Sequence, residues 1–316
     1  MAFVALKPEV YASTALGILE RIVKIPSMVD VRNGSEFKGA KDDTVNIKIA
    51  ARGIARRKLL RATGSDRIIQ TDDLAESKIS IKLTDHVYFA TDTTDENFSL
   101  DIADFAQQVL VPSVRAVAVE LEDIVYEQIQ DATYVDGLNV VEWGAADDVW
   151  GVLVDGRQIL NRAFVPDTGR FLLVGSAAEA RILKDVDIKP GPNPTGLGAG
   201  TLASAALGTI AGWTIVPSSL VGDDEAYGFV KSAFVLANVA PPLPDGAAFA
   251  RSIGSEGFEL RWLKDYDSTI LSDRSIVDSW VGTASVEDGK VDADHVVTGH
   301  ILNSAYNARA VKFVLS

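Results

Sequence analysis

With 316 residues, 47% of them hydrophobic and 23% charged, the chain is long enough to bury a sizeable core and too apolar for global disorder. No run approaches eighteen apolar residues, so no membrane-spanning helix and no membrane partner are expected, and the absence of cysteine excludes disulfides, thiolate nucleophiles and cysteine zinc sites. The net charge of −14 argues against a general nucleic-acid binder, because phosphate recognition draws on a basic surface.

The acidity is uneven. Between Thr44 and Ala90 nine Lys and Arg face five acids, a net of +4, so the rest of the chain carries −18. One segment is therefore charge-complementary to the remainder of the molecule. The first residues carry Lys7, Pro8 and Glu9 without an uninterrupted apolar core, so a cytoplasmic rather than a secreted protein is expected.

In chain order, residues 8–24 place Val10, Leu16, Leu19, Ile22 and Val23 on one side of a helix that Pro8 suits at its start and Pro26 limits at its end. Residues 27–43 hold Gly34, Gly39 and few apolar positions. The two together read as an arm that needs a partner surface, in its own subunit or another's. Thr44 to Ile49 alternates polar and β-branched residues, and Ile79, Ile81 and Leu83 alternate with Lys78, Ser80 and Lys82. Both are half-buried strands by period and pair as the legs of a long hairpin. Between them, Arg52, Arg56, Arg57, Lys58 and Arg61 precede Asp72, Asp73 and Glu76. A connection this long is either a solvated charged loop or an outstretched one whose basic tip docks on a neighbour's acids, for which Asp85, Asp92, Asp95 and Glu96 are the candidates.

The stretch from Asp101 to about Ala132 is predicted as one long helix with Ile102, Phe105, Val109, Val114, Val117, Leu121 and Ile124 on one face. Ser99 or Asp101 caps it, and Pro112 predicts a kink or break. Residues 146–162 predict another helix, against which Gly151 and Gly156 weigh; residues 171–174 a buried strand; and Ser176 to Glu179 a capping box opening a helix to about Lys184. The Pro- and Gly-rich residues 190–196 predict an internal boundary. Short strands follow at 212–216, 228–236 and 257–263, and residues 311–315 predict a final strand that ties the terminus to a sheet.

Catalytic motifs are scarce. His86, His295 and His300 are the only histidines, and Asp292, Asp294, His295 and His300 fit no zinc or calcium loop spacing. Gly198 to Ala203 matches a loosened dinucleotide fingerprint but follows Pro- and Gly-rich residues where a strand is required, so it reads as linker. No catalytic residue, cofactor site or metal site is assigned. A globular chain of this size without such a site is expected to work by assembling.

The helix ASTALGILERIVKIP, the extended Phe37-Lys-Gly-Ala-Lys-Asp-Asp-Thr-Val-Asn-Ile, the pairing DTVNIKI with ISIKLTDHVY, and His86 to Glu96 leading into a long helix with a mid-helix proline resemble the major capsid proteins of tailed bacteriophages, on the HK97-like fold. The likeness is best over about residues 10–135. It implies an α+β fold with an N-terminal arm (1–43), an extended β-hairpin loop (44–90), and a peripheral domain (91–190) containing a spine helix (99–132). A mixed α/β axial domain (191–275) and a C-terminal return to the peripheral domain (276–316) follow. It also implies a structural protein of the virion, not an enzyme, assembled in the host cytoplasm into pentamers and hexamers of an icosahedral shell. Such a shell encloses double-stranded DNA without sequence-specific binding, and scaffolding, portal and decoration proteins are the further partners implied. A bacterial nanocompartment shell protein of the encapsulin type shares that fold and is the nearest alternative. An unrecognised enzyme is the alternative of a different class, and would need a pocket with convergent titratable groups.

Overall fold

The computed structural model describes residues 24–32, 44–49, 57, 60–61, 64, 68–69, 77–94, 106–185, 208–247, 249–255, 258–269, 271–287, 289–291, 297–300 and 306–316. The predicted arm helix, the break at 190–196, the Gly198 to Ala203 segment and the cap at Ser99 or Asp101 lie outside these residues.

The long helix is present as α1 (Val111–Gln130), entered through a π-helical segment at Ala106–Leu110. Pro112 falls in the first turn of the α-helical part, where its missing N–H is tolerated, so the expected irregularity takes the form of that wide turn. Ser113 Oγ donates to the Val109 carbonyl at 2.6 Å across the join. Val114, Val117, Ala118, Leu121, Val125 and Ile129 form the buried stripe. Ile124, which the periodicity puts on the stripe, is half-buried at its flank.

Four strands precede or flank α1 in the first half: β1 (Asp30–Arg32), β2 (Thr44–Ile49), β3 (Ser77–Lys82) and β4 (Asp85–Thr94). After α1 come β5 (Val140–Trp143), helix α2 (Val149–Arg162), β6 (Arg170–Val174), helix α3 (Ser176–Lys184), β7 (Thr209–Ile210), β8 (Trp213–Pro217) and β9 (Glu225–Val230). The chain continues through β10 (Phe234–Val239), β11 (Phe249–Ser255), β12 (Phe258–Asp267), β13 (Ser272–Ser285), a small ribbon of β14 (Gly289–Val291) and β15 (Val297–His300), and β16 (Ala310–Leu315). The alternation at 44–49 and 77–82 does report a hairpin: β2 and β3 pair antiparallel with Val45 opposite Ile81 and Ile47 opposite Ile79.

The strands make two large sheets. The first runs β1-β10-β13-β12-β11, with β4 on the opposite edge of β13. All six residues of β10 are buried because both faces of this sheet are covered. Phe234 and Leu236 point into the main core with α1, while Val235, Ala237 and Val239 join Ile79, Ile81 and Val286 in a second, smaller core under the hairpin root. The arm is likewise seated on its own subunit at its root. Ile25, Met28 and Val29 are buried, and Lys24 N donates to Glu122 Oε1 at 2.6 Å.

The second sheet runs β5-β16-β9-β6-β8-β7. The expected division at 190 does not separate the two sheets, because β6 pairs in parallel with β8 across that boundary. Nor does the C-terminal strand return to the sheet that carries α1. It inserts between β5 and β9 of the second sheet, where Val311, Phe313 and Leu315 are buried. Helix α2 is capped by Asp148, whose side chain accepts from Trp150 N and Gly151 N. It lies directly on β16, and Gly156 is the reason it can: a Cβ there would sit 2.4 Å from Phe313 Cζ. The glycine that weakens the helix by propensity is demanded by packing. The capping box is corrected: Gly175 is the N-cap of α3 with no side-chain bond, and Ser176, already in the helix, donates from its Oγ to Asp223.

Where the end of α1 meets the second sheet, Tyr126 and Tyr134 pack on Tyr227 with centroids 6.2 and 5.8 Å away. Tyr227 donates to Glu225, and Lys312 Nζ lies 2.6 Å from the same carboxylate. Burial alone pushes the Glu225 carboxyl up, but the hydrogen bonds from Lys312 and Tyr227 outweigh it and hold the group below its ordinary 4.5. A depressed carboxylate stabilises the fold fully above its unfolded value, and that contribution is lost as pH falls through the folded one. Glu225→Gln is therefore expected to flatten the melting temperature against pH below about pH 4.5, measured by calorimetry. An unchanged acid limb would show that the pair has no linkage to folding.

Candidate functional site

Strand β4 is an edge: among the described strands it pairs only with β13. Between this edge and the flank of α1 runs a groove of about 640 Å³. Glu120, Ile124, Glu127 and Asp131 come from one side of the helix at steps of four, three and four residues. Asp85, Tyr88 and Phe89 come from the strand. Phe89, on the strand face of buried Val87, is 36% exposed, and Tyr88, on the opposite face beside His86, is 66% exposed, so the groove is open and mixed in polarity. Four carboxylates and no Lys or Arg line it among the described residues, and the local potential is strongly negative.

The edge is held by a buried ionic network. Asp278 on β13, its side chain 2% exposed, accepts from Arg261 Nε at 3.0 Å and from Arg261 Nη2, and lies 3.0 Å from His86 Nε2 on β4. Arg261 Nη1 also donates to the Pro242 carbonyl. Next to it, the chain turning from β3 into β4 crosses Gly282 so closely that a Cβ would stand 2.1 Å from the Lys82 carbonyl oxygen. Thr84 N donates to the Val281 carbonyl at 3.0 Å in the same place. The root of the long hairpin is thus fixed against β13 by close backbone packing.

Of the predicted basic tip, Arg57 and Arg61 are exposed, while Arg52, Arg56 and Lys58 lie outside the described residues. Beside them Leu60 is 99%, Ile68 70% and Ile69 77% exposed. Of the predicted acidic acceptors, Asp85 lies in the groove, accepting from Thr84 Oγ1 at 2.6 Å. Asp92 is already ion-paired with Arg274 Nε at 2.9 Å, and Asp95 and Glu96 fall outside the described residues. Glu120, Glu127 and Asp131 escaped the sequence reading. Their spacing marks one helix face, but only the tertiary placement of β4 turns that face into one wall of a groove. No group of three His, Cys, Asp or Glu is placed to hold a metal among the described residues, and the Asp292, Asp294, His295 cluster lies outside them.

A long helix laid across one mixed sheet, a second sheet closed by the C-terminal strand, and a hairpin rooted beside an edge strand make up the α+β, HK97-like capsid fold. The structure of Mycobacterium phage Che8 aligns with a TM-score of 0.60 at 14% identity, covering 92% of this chain and 90% of that one. The asymmetric unit of the bacteriophage PhiM1 mature capsid aligns at 0.59 and 10% identity, covering 93% and 87%. The capsid of the cyanophage P-SCSP1u aligns at 0.59 and 10% identity, covering 92% and 86%. No curated protein sequence matches the chain. The family model for phage capsid proteins matches residues 80–291, well over half of the chain, and the chain belongs to that family. It is a major capsid protein, a structural component of the virion.

Proposed function

We propose that copies of this chain gather into pentamers and hexamers that close an icosahedral shell around double-stranded DNA, assembled in the host cytoplasm. In this reading the sheet carrying α1 is the peripheral domain, the second sheet is the axial domain, and the hairpin of β2 and β3 is the loop that reaches the next subunit. The tip residues Arg52, Arg56, Arg57, Lys58 and Arg61 of one copy seat on the groove of its neighbour. The observation that carries it is complementarity of two kinds. A groove with four carboxylates and the exposed ring of Phe89 stands beside an edge strand, and the loop offers cations beside exposed Leu60, Ile68 and Ile69. An acidic body also repels packaged DNA from the wall. Scaffolding, portal and decoration proteins are further partners of such a shell.

Replacing Arg56, Arg57 and Lys58 together with Glu is expected to reduce shell yield about tenfold or more at low salt while the circular dichroism of the subunit is unchanged. Glu120→Lys with Glu127→Lys in the same chain is expected to restore part of the yield. Unchanged shells in the triple variant would reject the docking of the tip.

A further inference from the structure

Between Arg157 and Arg170 the chain carries three Arg and a single acid, Asp167, in a molecule of net charge −14. The fold brings two of the three together beside that acid. Arg157, in the second half of α2, reaches the turn between β7 and β8, where its Nη1 donates to the Ala211 carbonyl at 3.2 Å. Gly212 there has φ 82°, and a Cβ on it would stand 2.8 Å from the same Nη1, so the guanidinium is seated where only glycine leaves room. Arg170 opens β6 with its side chain fully buried. Its Nε donates to the Pro166 carbonyl at 2.9 Å, its Nη2 to Asn161 Oδ1 at 2.7 Å and to the Val165 carbonyl at 2.8 Å, and its Nη1 has no acceptor among the described residues. Burial, with Arg157 nearby, holds this guanidinium below its ordinary 12.5 against the pull of Asp167.

Asp167 Oδ1 lies 3.1 Å from Arg170 Nη2 and 3.8 Å from Arg157 Nη2. One oxygen thus faces two guanidiniums, the second beyond hydrogen-bond reach, and a single negative charge stands against two positive ones. The Asp167 side chain is 64% exposed and that of Arg157 37%, so the arrangement opens to solvent. We propose that Arg157 and Arg170 form a binding site for a phosphate group, in which the Asp167 carboxylate is a displaceable stand-in. A phosphate offers each guanidinium an oxygen of its own, which one shared carboxylate oxygen cannot, and it brings the negative charge the pair lacks. The group comes either as free phosphate or as a phosphodiester of nucleic acid. The site belongs to α2 and the second sheet, whereas the groove lies between β4 and α1, and it does not depend on the shell reading.

The test uses the full chain as free subunits, titrated with inorganic phosphate by calorimetry and with a mixed-sequence DNA duplex by fluorescence anisotropy at several salt concentrations. Arg157→Gln is expected to weaken phosphate binding about tenfold, and Asp167→Asn, which removes the stand-in, to tighten it about tenfold. With a phosphodiester as the ligand, Arg157→Gln is also expected to lower the slope of log affinity against log salt by about one. An unchanged slope beside weakened phosphate binding keeps the site and assigns it to free phosphate. Arg157 is partly exposed, so its variant is expected to fold and decides the matter even where Asp167→Asn does not. A wild-type chain that takes up no phosphate, or wild-type and glutamine chains that bind it equally, would overturn the site. Equal phosphate binding with fewer shells from Arg157→Gln would assign the pair to a carboxylate of another subunit and overturn it as well. Weaker phosphate binding by Asp167→Asn would show the carboxylate orienting the arginines rather than occupying the ligand's place, and would overturn the stand-in.

Discussion

Asp278→Ala is expected to destabilise the subunit by about 3–5 kcal/mol, the range for removing one member of a buried ion pair. Asp278 is 1% exposed, is the anion for Arg261, whose side chain is 13% exposed, and lies 3.0 Å from His86 Nε2 across the strand edge. Truncation leaves the guanidinium largely desolvated with the Pro242 carbonyl as its remaining acceptor among the bonds that join these segments. The consequence is local before it is global: β4 loses a side-chain tie to β13, and β4 is the wall of the groove. Urea denaturation is expected to show the loss as a shifted midpoint with an unchanged slope. Asp278→Leu combined with Arg261→Met is expected to recover most of it, because an apolar pair of similar volume avoids the desolvation cost. A double variant as unstable as Asp278→Ala would show that the network is held by shape rather than by charge.

Gly282→Ala is the second large effect, about 3 kcal/mol, at the upper end of the range for overpacking because the clash is with backbone. The added Cβ would meet the Lys82 carbonyl oxygen at 2.1 Å, the Lys82 carbonyl carbon at 2.9 Å and the Leu83 Cα at 3.1 Å, none of which is the free end of a flexible side chain. The chain between β3 and β4 must lift away, taking Ile81 out of the small core it shares with Val235, Ala237 and Val286. Helix content is expected to persist while the hairpin leaves the sheet at a different angle, so shells are expected to fail even where the subunit stays folded. Normal shells from this variant would show that hairpin direction is not set at this crossing.

Much of the local structure is legible in the residues themselves. The period-two stretches pair as predicted, and three- and four-residue steps find α1 and, at Val114, Val117 and Leu121, its buried stripe. Legibility ends where a distant segment decides. The placement of β16 between β5 and β9 rests on partners 81 and more residues away, the nearest being Phe229 opposite Ala310, so alternation predicts a strand without saying which sheet it joins. Gly156 looks like a helix fault until Phe313 is seen beneath it, and His86 looks like a lone histidine until Asp278, 192 residues later, closes on it. The groove follows the same rule. Glu120, Glu127 and Asp131 share one side of the helix by spacing, and β4 alone makes that side one wall of a site. The root of the arm, read as needing a surface in its own subunit or another's, buries Ile25 and Val29 within the subunit, and the hairpin root buries Ile79 and Ile81 there, which leaves the exposed loop apolar residues as the part in want of a neighbour.

Electron cryomicroscopy of the purified full chain bears most directly on whether this loop completes its cover on an adjacent copy. Closed shells are expected, with density for residues around Leu60 lying over Tyr88, Phe89 and Glu120 of the next subunit. Shells in which that loop folds back over its own subunit, or particles that remain single subunits at every concentration and salt, would contradict it.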